Sequence, residues 1–459
     1  MDGRAPDNTD FLMQYEAAAD NEKYPLVQRW IRDDPLAFFK QLRQQRPVLE
    51  TPNCVLVANF VDVRDMLSMP KIFTVDLYKP KMAVTGPDDG YLMAHDDDAL
   101  HYREKSLMQG LLNRKDLPRV RRLVAQTAEQ ILTSAGGKIE LVNDYSRKVP
   151  VQLVQKYFGL DGIDDQDLIR WSYWNQYDAF NNQPFDGLSD SEYQRIIDKH
   201  DQVSKELSAY IASLMIRKVV RVKLTAPINM LWHPLRNLLY RVLGRAEPEN
   251  SDDMVSRMLR STFAKEADFP LTRVGVNAGG LLIGAIETTS QAVTQVVEYL
   301  IDHPEQLQQA KQLARQDSTS AFDALVWEAL RFVPIRPDIF RQAACDYTIA
   351  KGTAHETQIK AGTIVRLLIH SAMFDPYAYQ DPDRFNPDRT IYHNFVFGFG
   401  SHQCLGKYIG MEMIPEMVRQ VMRCGDLRSE GPISYRNDTF PDREGPFPEQ
   451  YPLSWSSKH

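Results

Sequence analysis

Helical periodicity runs from about residue 100 to residue 330, and no other pattern in the chain restricts the possible folds as strongly. Upstream, DPLAFFKQLRQQRP predicts a helix that stops at Pro47, and VLETP and CVLVANF predict a hairpin. Beyond Arg331 the pattern changes to short β-like pieces, DYTIAK and TQIKAGTIVRLLIH, followed by one last helical segment. With no internal repeat, low-complexity tract or linker, this arrangement predicts a mainly α fold with a minor β portion in a single large domain.

The domain is expected to span residues 27–456, after a polar N-terminal segment at 1–26, because the first helical pattern begins at about Leu26. Within it, residues 217–245 carry seven Lys or Arg and no acid, interleaved with Leu, Val and Trp. Such a basic amphipathic insertion could contact an acidic partner or a membrane surface peripherally. The interpretation we favour is a connector packed on the body of the protein.

Composition excludes several classes of protein. Hydrophobic residues make up 43% of the 459 residues and charged residues 25%, which is typical of a globular chain and not of a disordered or fibrous one. The net charge of -7 gives no reason to expect nucleic acid as a partner. The acidic, polar N-terminus lacks a signal peptide pattern, and no run of 18 apolar residues occurs. We therefore expect a soluble cytoplasmic protein without a transmembrane anchor.

Cys404 stands apart from the other three cysteines, and the four together form neither a CxxC pair nor a zinc spacing. It lies in FVFGFGSHQCLGKYIG, among Gly398, Gly400 and Gly406 and directly ahead of a long helical pattern. Glycines permit tight turns and close approach of the backbone, and a helix N-terminus favours a thiolate. These are the requirements of a metal-bound sulfur, although a buried cysteine in a turn is the commoner situation for a single cysteine.

The cysteine segment resembles the haem-binding loop of the cytochrome P450 superfamily, in its soluble bacterial type. The pattern FxxGxHxCxG is matched at five positions: Phe397, Gly400, His402, Cys404 and Gly406. The resemblance implies haem b as cofactor, with Cys404 as the axial ligand of the haem iron. It further implies a propionate contact from His402, packing of Phe397 beside the sulfur, and haem contacts from Gly398 and Gly406. A thiolate ligand donates electron density to iron and favours O–O cleavage.

A second resemblance lies upstream. VWEALRF places Glu328 and Arg331 three residues apart on one helix, and Arg384 follows in DPDRF, as in the ExxR pair and downstream arginine of this superfamily. A lone ExxR is more often an exposed contact worth a few tenths of a kcal/mol. Here the pair lies 76 residues before Cys404 and is followed by Arg384, which is the order found in the superfamily. The resemblance therefore implies a buried charge network that fixes the cysteine loop.

The third resemblance concerns dioxygen. LLIGAIETTSQAV contains Gly284, Ala285, Glu287 and Thr288 in the order found in the superfamily's helix across the distal haem face. The small residues imply room for dioxygen, with Ala285 at a haem contact where relatives commonly have Gly. Thr288 is expected to loosen the helix through a bond to a backbone carbonyl, and Glu287 to relay protons. A polar turn in an amphipathic helix is the alternative.

The resemblance also implies contacts to the haem propionates. His101 matches the superfamily's HxxxR motif, in which Lys105 replaces the arginine, and Arg341 lies ten residues after Arg331. A lysine neutralises a carboxylate without the bidentate fork of an arginine. Each of these residues could instead be an ordinary exposed basic side chain.

The substrate pocket is expected among apolar side chains, because small-molecule sites are mostly apolar. An aromatic run at 171–185 corresponds to the superfamily's helical lid, and core packing is the alternative for each of its members. The candidates for the pocket wall are Tyr78, Met82, Tyr91, Phe180, Gly284, Ile335, Ile339 and Phe447. They predict an apolar small-molecule substrate without identifying it.

These features predict a haem-thiolate monooxygenase that uses O2 and two electrons to hydroxylate or oxidatively demethylate its substrate. The chain has no flavin or iron–sulfur motif, so a separate ferredoxin and an NAD(P)H-dependent reductase are expected as partners. Seven basic residues between Arg103 and Arg122 could receive the acidic donor, or could be a solvated face. Two alternatives remain, a peroxide-driven peroxygenase and a non-catalytic haem- or ligand-binding protein.

Overall fold

A computed structural model describes the backbone of residues 10–242, 252–263 and 268–456, and the side chains of these residues except 224–242. The α-helices in chain order are α1 (Phe11–Ala17), α2 (Asp20–Asp33), α3 (Pro35–Gln45), α4 (Phe60–Leu67), α5 (Ala99–Leu111), α6 (Leu117–Ala135), α7 (Lys148–Leu153), α8 (Asp165–Asn181), α9 (Asp190–Val242), α10 (Met254–Ser261), α11 (Leu271–Ala285), α12 (Glu287–Asp302), α13 (Pro304–Ala314), α14 (Ser320–Phe332), α15 (Ile369–Ala372) and α16 (Lys407–Met422). The strands are β1 (Val48–Glu50), β2 (Val55–Val57), β3 (Phe73–Thr74), β4 (Lys138–Glu140), β5 (Ile339–Ala343), β6 (Tyr347–Ile349), β7 (Thr357–Ile359), β8 (Ile364–Leu367), β9 (Gly425–Ser429) and β10 (Pro452–Ser456).

The chain forms two compact units, each drawn from three separate stretches of sequence. The first unit consists of the residues up to Lys79, Pro184–Gly187 and Arg336–Cys404. The second unit consists of Pro80–Gln183, Leu188–Ile335 and the residues from Leu405 onward.

The first unit begins with helix earlier than the sequence pattern indicates. Asp10 caps α1 by accepting the amide of Met13 at 2.9 Å, and Phe11 packs its ring 5.4 Å from that of Trp30. Tyr15 is also buried, and its hydroxyl donates to the carbonyl of Glu50 at 2.6 Å. The prediction that helical structure starts at about Leu26 is therefore wrong, because short apolar patches among polar residues conceal α1 and the start of α2.

A five-stranded sheet in the order β1-β2-β8-β5-β3 carries the rest of the first unit. The predicted hairpin is confirmed as β1 and β2, with Val48 opposite Val57. Strand β8 runs parallel to β2 and antiparallel to β5. A buried ion pair, Arg366 with Asp338 at 2.7 Å, stands at the start of β5. The sheet thereby fixes the strand from which two predicted site residues project.

The second unit is mostly helical, as predicted for residues 100 to 330. It contains α5 to α14, α16 and a small sheet in the order β4-β10-β9. Helices α8 and α11 pack against each other, and α11 is separated from α12 by a bend at Ile286, with φ -85° and ψ -65°. None of the helices in the described ranges is long and apolar enough to cross a bilayer.

The basic segment at 217–245 continues helix α9, whose backbone extends to Val242. Lys218 is 3% exposed, and its ammonium pairs with Asp161 at 2.9 Å and with Asp253 at 2.8 Å. The first turn of the segment is therefore packed on the second unit, which supports the connector interpretation there. The side chains of 224–242 and all of 243–245 lie outside the described residues.

Candidate functional site

The loop that carries Cys404 is closed by hydrogen bonds of its own backbone. The amide of Cys404 donates to the carbonyl of Phe397 at 2.9 Å. The amide of Gln403 donates to the carbonyl of Gly400 at 3.1 Å, across the 3₁₀ turn Gly400–His402. The amide of Gly398 donates to Phe395 at 2.7 Å. The loop is thus held as a tight ring around the residues that the sequence singles out.

Two glycines in this ring adopt left-handed backbone angles, with φ +67° at Gly398 and φ +71° at Gly400. A Cβ atom on Gly400 would lie 2.5 Å from the carbonyl oxygen of Leu67, at the end of α4. A side chain there meets both backbone strain and a clash, so glycine is required. The tight turn predicted from the glycines is present at Gly400, where the close neighbour is the protein's own chain.

Among the four cysteines, Cys404 has the thiol best placed to act as a ligand. Cys54 is buried, and burial raises the pKa of its thiol. Burial also raises the pKa of Cys424 to about 11. Cys404 is exposed on a rigid loop just before α16, and Cys345 is exposed outside any such loop. A thiolate ligand must be accessible and must avoid an apolar burial that favours the neutral thiol, and Cys404 meets both conditions.

Strand β5 carries two further predicted residues of the first unit. Arg341 is 5% exposed, and its guanidinium donates to the carbonyl of Phe340 at 2.8 Å. The Cδ1 atom of Ile339 lies 3.8 Å from the place that a Cβ on Gly398 would occupy. The candidates Ile339 and Gly398 are therefore brought together. Tyr78, His402 and Phe397 are half-buried.

The ExxR pair is buried as expected. Arg331 donates to Glu328 at 2.7 and 3.0 Å, and the two side chains are 1% and 4% exposed. Arg384, which we expected to share their burial, is exposed. The expectation of a buried residue is therefore wrong for Arg384, because it lies in a turn-rich stretch after β8 and not on a packed element.

The break between α11 and α12 coincides with the residues predicted to receive dioxygen. The hydroxyl of Thr288 donates to the carbonyl of Gly284 at 2.8 Å, as predicted. Gly284 is exposed and Thr288 is half-buried, whereas the residues on either side of this stretch are mostly buried. Apart from its chain neighbours and the backbone of its own helix, no atom in the described part of the chain lies within 4 Å of the place that a Cβ on Gly284 would occupy. The helix is locally opened here, and no side chain of the described residues fills the space beside Gly284.

Glu287 is fully buried and held by an arginine that the sequence analysis did not single out. Arg147 donates to both oxygens of Glu287 at 3.0 to 3.2 Å and to Oε2 of Glu449 at 3.2 Å. The hydroxyl of Tyr173 donates to Oε1 of Glu449 at 2.6 Å. Burial raises the pKa of Glu287 and of Glu449, and the guanidinium of Arg147 opposes the rise in both.

The two candidates on α5 point inward. His101 is 1% exposed and its Nδ1 lies 2.9 Å from the carbonyl oxygen of Leu92, while Lys105 is 8% exposed. The alternative of ordinary exposed basic side chains is wrong for both residues. Glu104 between them forms a buried ion pair with Arg273 of α11, at 2.7 Å.

The pocket candidates of the second unit differ in how deeply they are buried and in what they contact. Tyr91 lies against α11, where its ring occupies the space that a Cβ on Gly280 would need. Met82, Phe180 and Ile335 are half-buried, and their place in a pocket wall stays a prediction. Phe447 is 2% exposed and packs its ring 5.0 Å from that of Tyr173 and 5.7 Å from that of Tyr177. Phe447 therefore belongs to the aromatic core, and the prediction that it lines the pocket is wrong.

The basic residues between Arg103 and Arg122 do not form one surface. Arg121 is drawn into ion pairs with Asp323 at 2.7 Å and Glu416 at 2.9 Å, and Arg103 pairs with Asp268. The members of the set that are exposed are Arg114, Lys115 and Arg122.

A family model described as Cytochrome P450 matches residues 173–424. This match covers more than half of the chain and includes the cysteine loop, the ExxR helix and the opened helix. The chain belongs to the cytochrome P450 family. Relatives named as hydroxylases and monooxygenases match along most of their length, and this protein is a cytochrome P450 monooxygenase.

The relatives are distant but extensive. The chain is 25% identical over 431 residues to pulcherriminic acid synthase of Bacillus subtilis, covering 88% of this chain and 91% of that protein. It is 24% identical over 371 residues to erythromycin C-12 hydroxylase of Saccharopolyspora erythraea, with 80% of each chain covered. At these identities the comparison supports a shared class of reaction and leaves the substrate open.

Solved structures show the same fold. The crystal structure of CalO2 gives a TM-score of 0.71 at 19% identity and covers 93% of this chain and 97% of that one. The structure of P450BioI in complex with an acyl carrier protein ligated to hexadec-9Z-enoic acid gives 0.71 at 18% identity, covering 93% and 100%. The predicted cytochrome P450 fold, mainly α with a minor β portion, is confirmed.

The residues present fit the haem of this family. In the first unit, an accessible cysteine thiol stands on a loop that is closed by backbone hydrogen bonds, as a thiolate ligand of haem iron requires. Sequence reasoning missed Arg147 and Glu449, because nothing in their local patterns marks them. It also missed Ser172 and Gln176 of α8, although two polar residues four apart in an aromatic run are a readable signal.

Proposed function

We propose that the protein is a haem-thiolate monooxygenase that uses O2 and two electrons to hydroxylate or oxidatively demethylate an apolar small molecule. The observation that carries the proposal is the closed loop that presents Cys404 as an exposed thiol, together with the family match. Cys404 would hold the iron of haem b, and Arg341, His101, Lys105 and His402 would face its propionates. When bound, the haem supplies activation of dioxygen and transfer of one oxygen atom to the substrate.

The protein's own part in the reaction is the control of protons near Thr288. The hydroxyl hydrogen of Thr288 is committed to the carbonyl of Gly284, so Oγ1 is left as an acceptor that can hold a water molecule in place. Glu287 is the acidic residue that directly precedes Thr288. Burial raises the pKa of its carboxyl group, and Arg147 opposes that rise.

The carboxyl group of Glu287 is not exposed to solvent and belongs to a buried network. Arg147 connects Glu287 with Glu449, and Tyr173 donates to Glu449. Because a guanidinium keeps its protons, Arg147 cannot pass a proton on, and we propose that this network holds and orients the carboxyl group of Glu287.

The electron donor is proposed to be a separate ferredoxin with its NAD(P)H-dependent reductase. The exposed basic residues Arg114, Lys115 and Arg122 would attract an acidic donor, and this attraction weakens as salt is raised.

Turnover with isotopically labelled dioxygen tests the function. The purified holoenzyme, a surrogate ferredoxin, its reductase and NADPH are incubated under ¹⁸O2 with a panel that begins with a steroid and a macrolide, since relatives are named for such substrates. The proposal expects one ¹⁸O atom in a hydroxylated product, or a demethylated product with release of formaldehyde, and neither product without NADPH. Equal turnover with hydrogen peroxide alone would indicate a peroxygenase, and binding without any oxidation would indicate a non-catalytic protein.

A further inference from the structure

The carbonyl of Ile283, next to the opened turn of α11, accepts hydrogen bonds from two side chains of another helix. The hydroxyl of Ser172 donates to it at 3.2 Å and the amide Nε2 of Gln176 donates at 2.6 Å. Both residues belong to α8, where they lie four positions apart on one face. The carbonyl of the following residue, Gly284, is taken by the hydroxyl of Thr288.

Two consecutive carbonyls of α11 are thus engaged by side chains at the point where the helix bends. In a continuous α-helix the carbonyl of residue 283 accepts the amide of residue 287. Side-chain donors that enter this ladder loosen or kink a helix. The bend at Ile286 and the end of α11 at Ala285 lie where this competition is expected to act.

The two donors are well placed to hold this arrangement. Ser172 is 0% exposed and Gln176 is 3% exposed, in a stretch of α8 that otherwise buries Trp171, Tyr173 and Trp174. A buried glutamine amide without an acceptor is unfavourable, so the bond to Ile283 is strongly favoured once α8 is packed. The loop before α5 is also tied to α8, since Lys81 pairs with Asp178 at 2.8 Å.

We propose that Ser172 and Gln176 are positioning residues that hold the α11–α12 break open by occupying the Ile283 carbonyl, so that the position of α8 sets the geometry around Thr288. This inference deepens the proposed function, on which it rests. Because α8 carries the aromatic run assigned to the lid, a substrate that shifts α8 would change the hydrogen bonding of the dioxygen-facing turn.

The test is amide hydrogen exchange of the haem-bound protein, followed by mass spectrometry over a peptide containing residues 283–290. The variants are Ser172→Ala, Gln176→Met and their combination. The matched control is Gln183→Met, because Gln183 is similarly buried, at 4%, and its side chain donates at 2.8 Å to the carbonyl of Ala179. Methionine keeps the length of the side chain and removes the donor.

The proposal expects the double variant to slow exchange in this peptide by about fivefold, since the freed carbonyl returns to the amide of residue 287. Gln183→Met should leave it unchanged. The stretching frequency of carbon monoxide bound to the reduced haem should shift in the double variant and not in the control. Unchanged exchange in the double variant would overturn the proposal, and so would faster exchange across both α8 and the peptide, which would mean that the pair only anchors α8.

The outcome is separable from that of the proposed function. A haem-bound wild type that forms no oxidised product would refute the function, whereas the exchange experiment on the same protein would still report on the bond between α8 and Ile283.

Discussion

The guanidinium of Arg147 binds both carboxylate oxygens of Glu287, through hydrogen bonds of 3.0 to 3.2 Å, and both side chains are almost completely buried. The same guanidinium reaches Glu449 at 3.2 Å. The acid assigned to proton delivery is therefore part of a three-residue network within the second unit. Its charge balance governs both the stability of the fold and the availability of a proton.

Removal of Arg147 should strongly destabilise the protein. Arg147→Met leaves two carboxyl groups buried without their cation, and breaking a buried pair in this way costs about 3–5 kcal/mol. The free energy of unfolding, measured by urea denaturation, should fall by that amount. Arg114→Met is the control, because Arg114 is exposed and stacks on the Tyr408 ring at 4.1 Å. Equal stability of the two variants would show that the network contributes nothing.

Glu449 should make the stability of the wild type depend on pH. Burial raises the pKa of Glu449 above its ordinary value of 4.5, so the folded state binds a proton more tightly than the unfolded state. The associated stability is present below pH 4.5 and is lost as pH rises through the raised pKa. The unfolding free energy of the wild type minus that of Glu449→Gln should therefore decrease with rising pH over this range. A difference that increases with pH would mean that the pKa is lowered in the folded protein.

The hydroxyl of Thr288 should be needed for efficient use of electrons. Thr288→Val keeps the shape of the side chain and removes Oγ1, so product formed per NADPH consumed should fall about a hundredfold while hydrogen peroxide release rises. Thr288→Ser keeps the hydroxyl and should stay much closer to the wild type. The measurement is product and peroxide on the panel compound with the highest turnover. Unaltered product yield in the valine variant would remove Thr288 from the reaction.

Gly400 should tolerate no side chain. Gly400→Ala combines a φ of +71° with a Cβ placed 2.5 Å from the Leu67 carbonyl oxygen. Gly362→Ala is the matched control, because its φ is +88° and no described atom lies within 4 Å of its Cβ position. Both variants should lose about 1 kcal/mol from backbone strain, and Gly400→Ala should lose a further 1–3 kcal/mol and bind less haem. The same loss in both variants would attribute the effect to φ alone.

The sequence predicts well what depends on short spacing. The cysteine loop, the ExxR pair and the bond from Thr288 to Gly284 each lie within a few residues, so a local pattern specifies them. Contacts between side chains that are far apart in the sequence were not predicted, and the ion pair of Arg147 with Glu449 is an example. Which side chains meet in such a contact depends on how the helices pack, and no local pattern records it. Phe447 shows the same limit, since an aromatic residue looks alike in a core and in a cavity wall.

The most direct test of the central claim is the absorption spectrum of the reduced protein with carbon monoxide, recorded for the wild type, Cys404→Ser and Cys345→Ser. Cys345 is the matched control because its thiol is also exposed. A thiolate ligand predicts a strongly red-shifted Soret band in the wild type and in Cys345→Ser, and its loss in Cys404→Ser. A wild type without haem, or a red-shifted band that survives in Cys404→Ser, would contradict the assignment of Cys404 as the iron ligand.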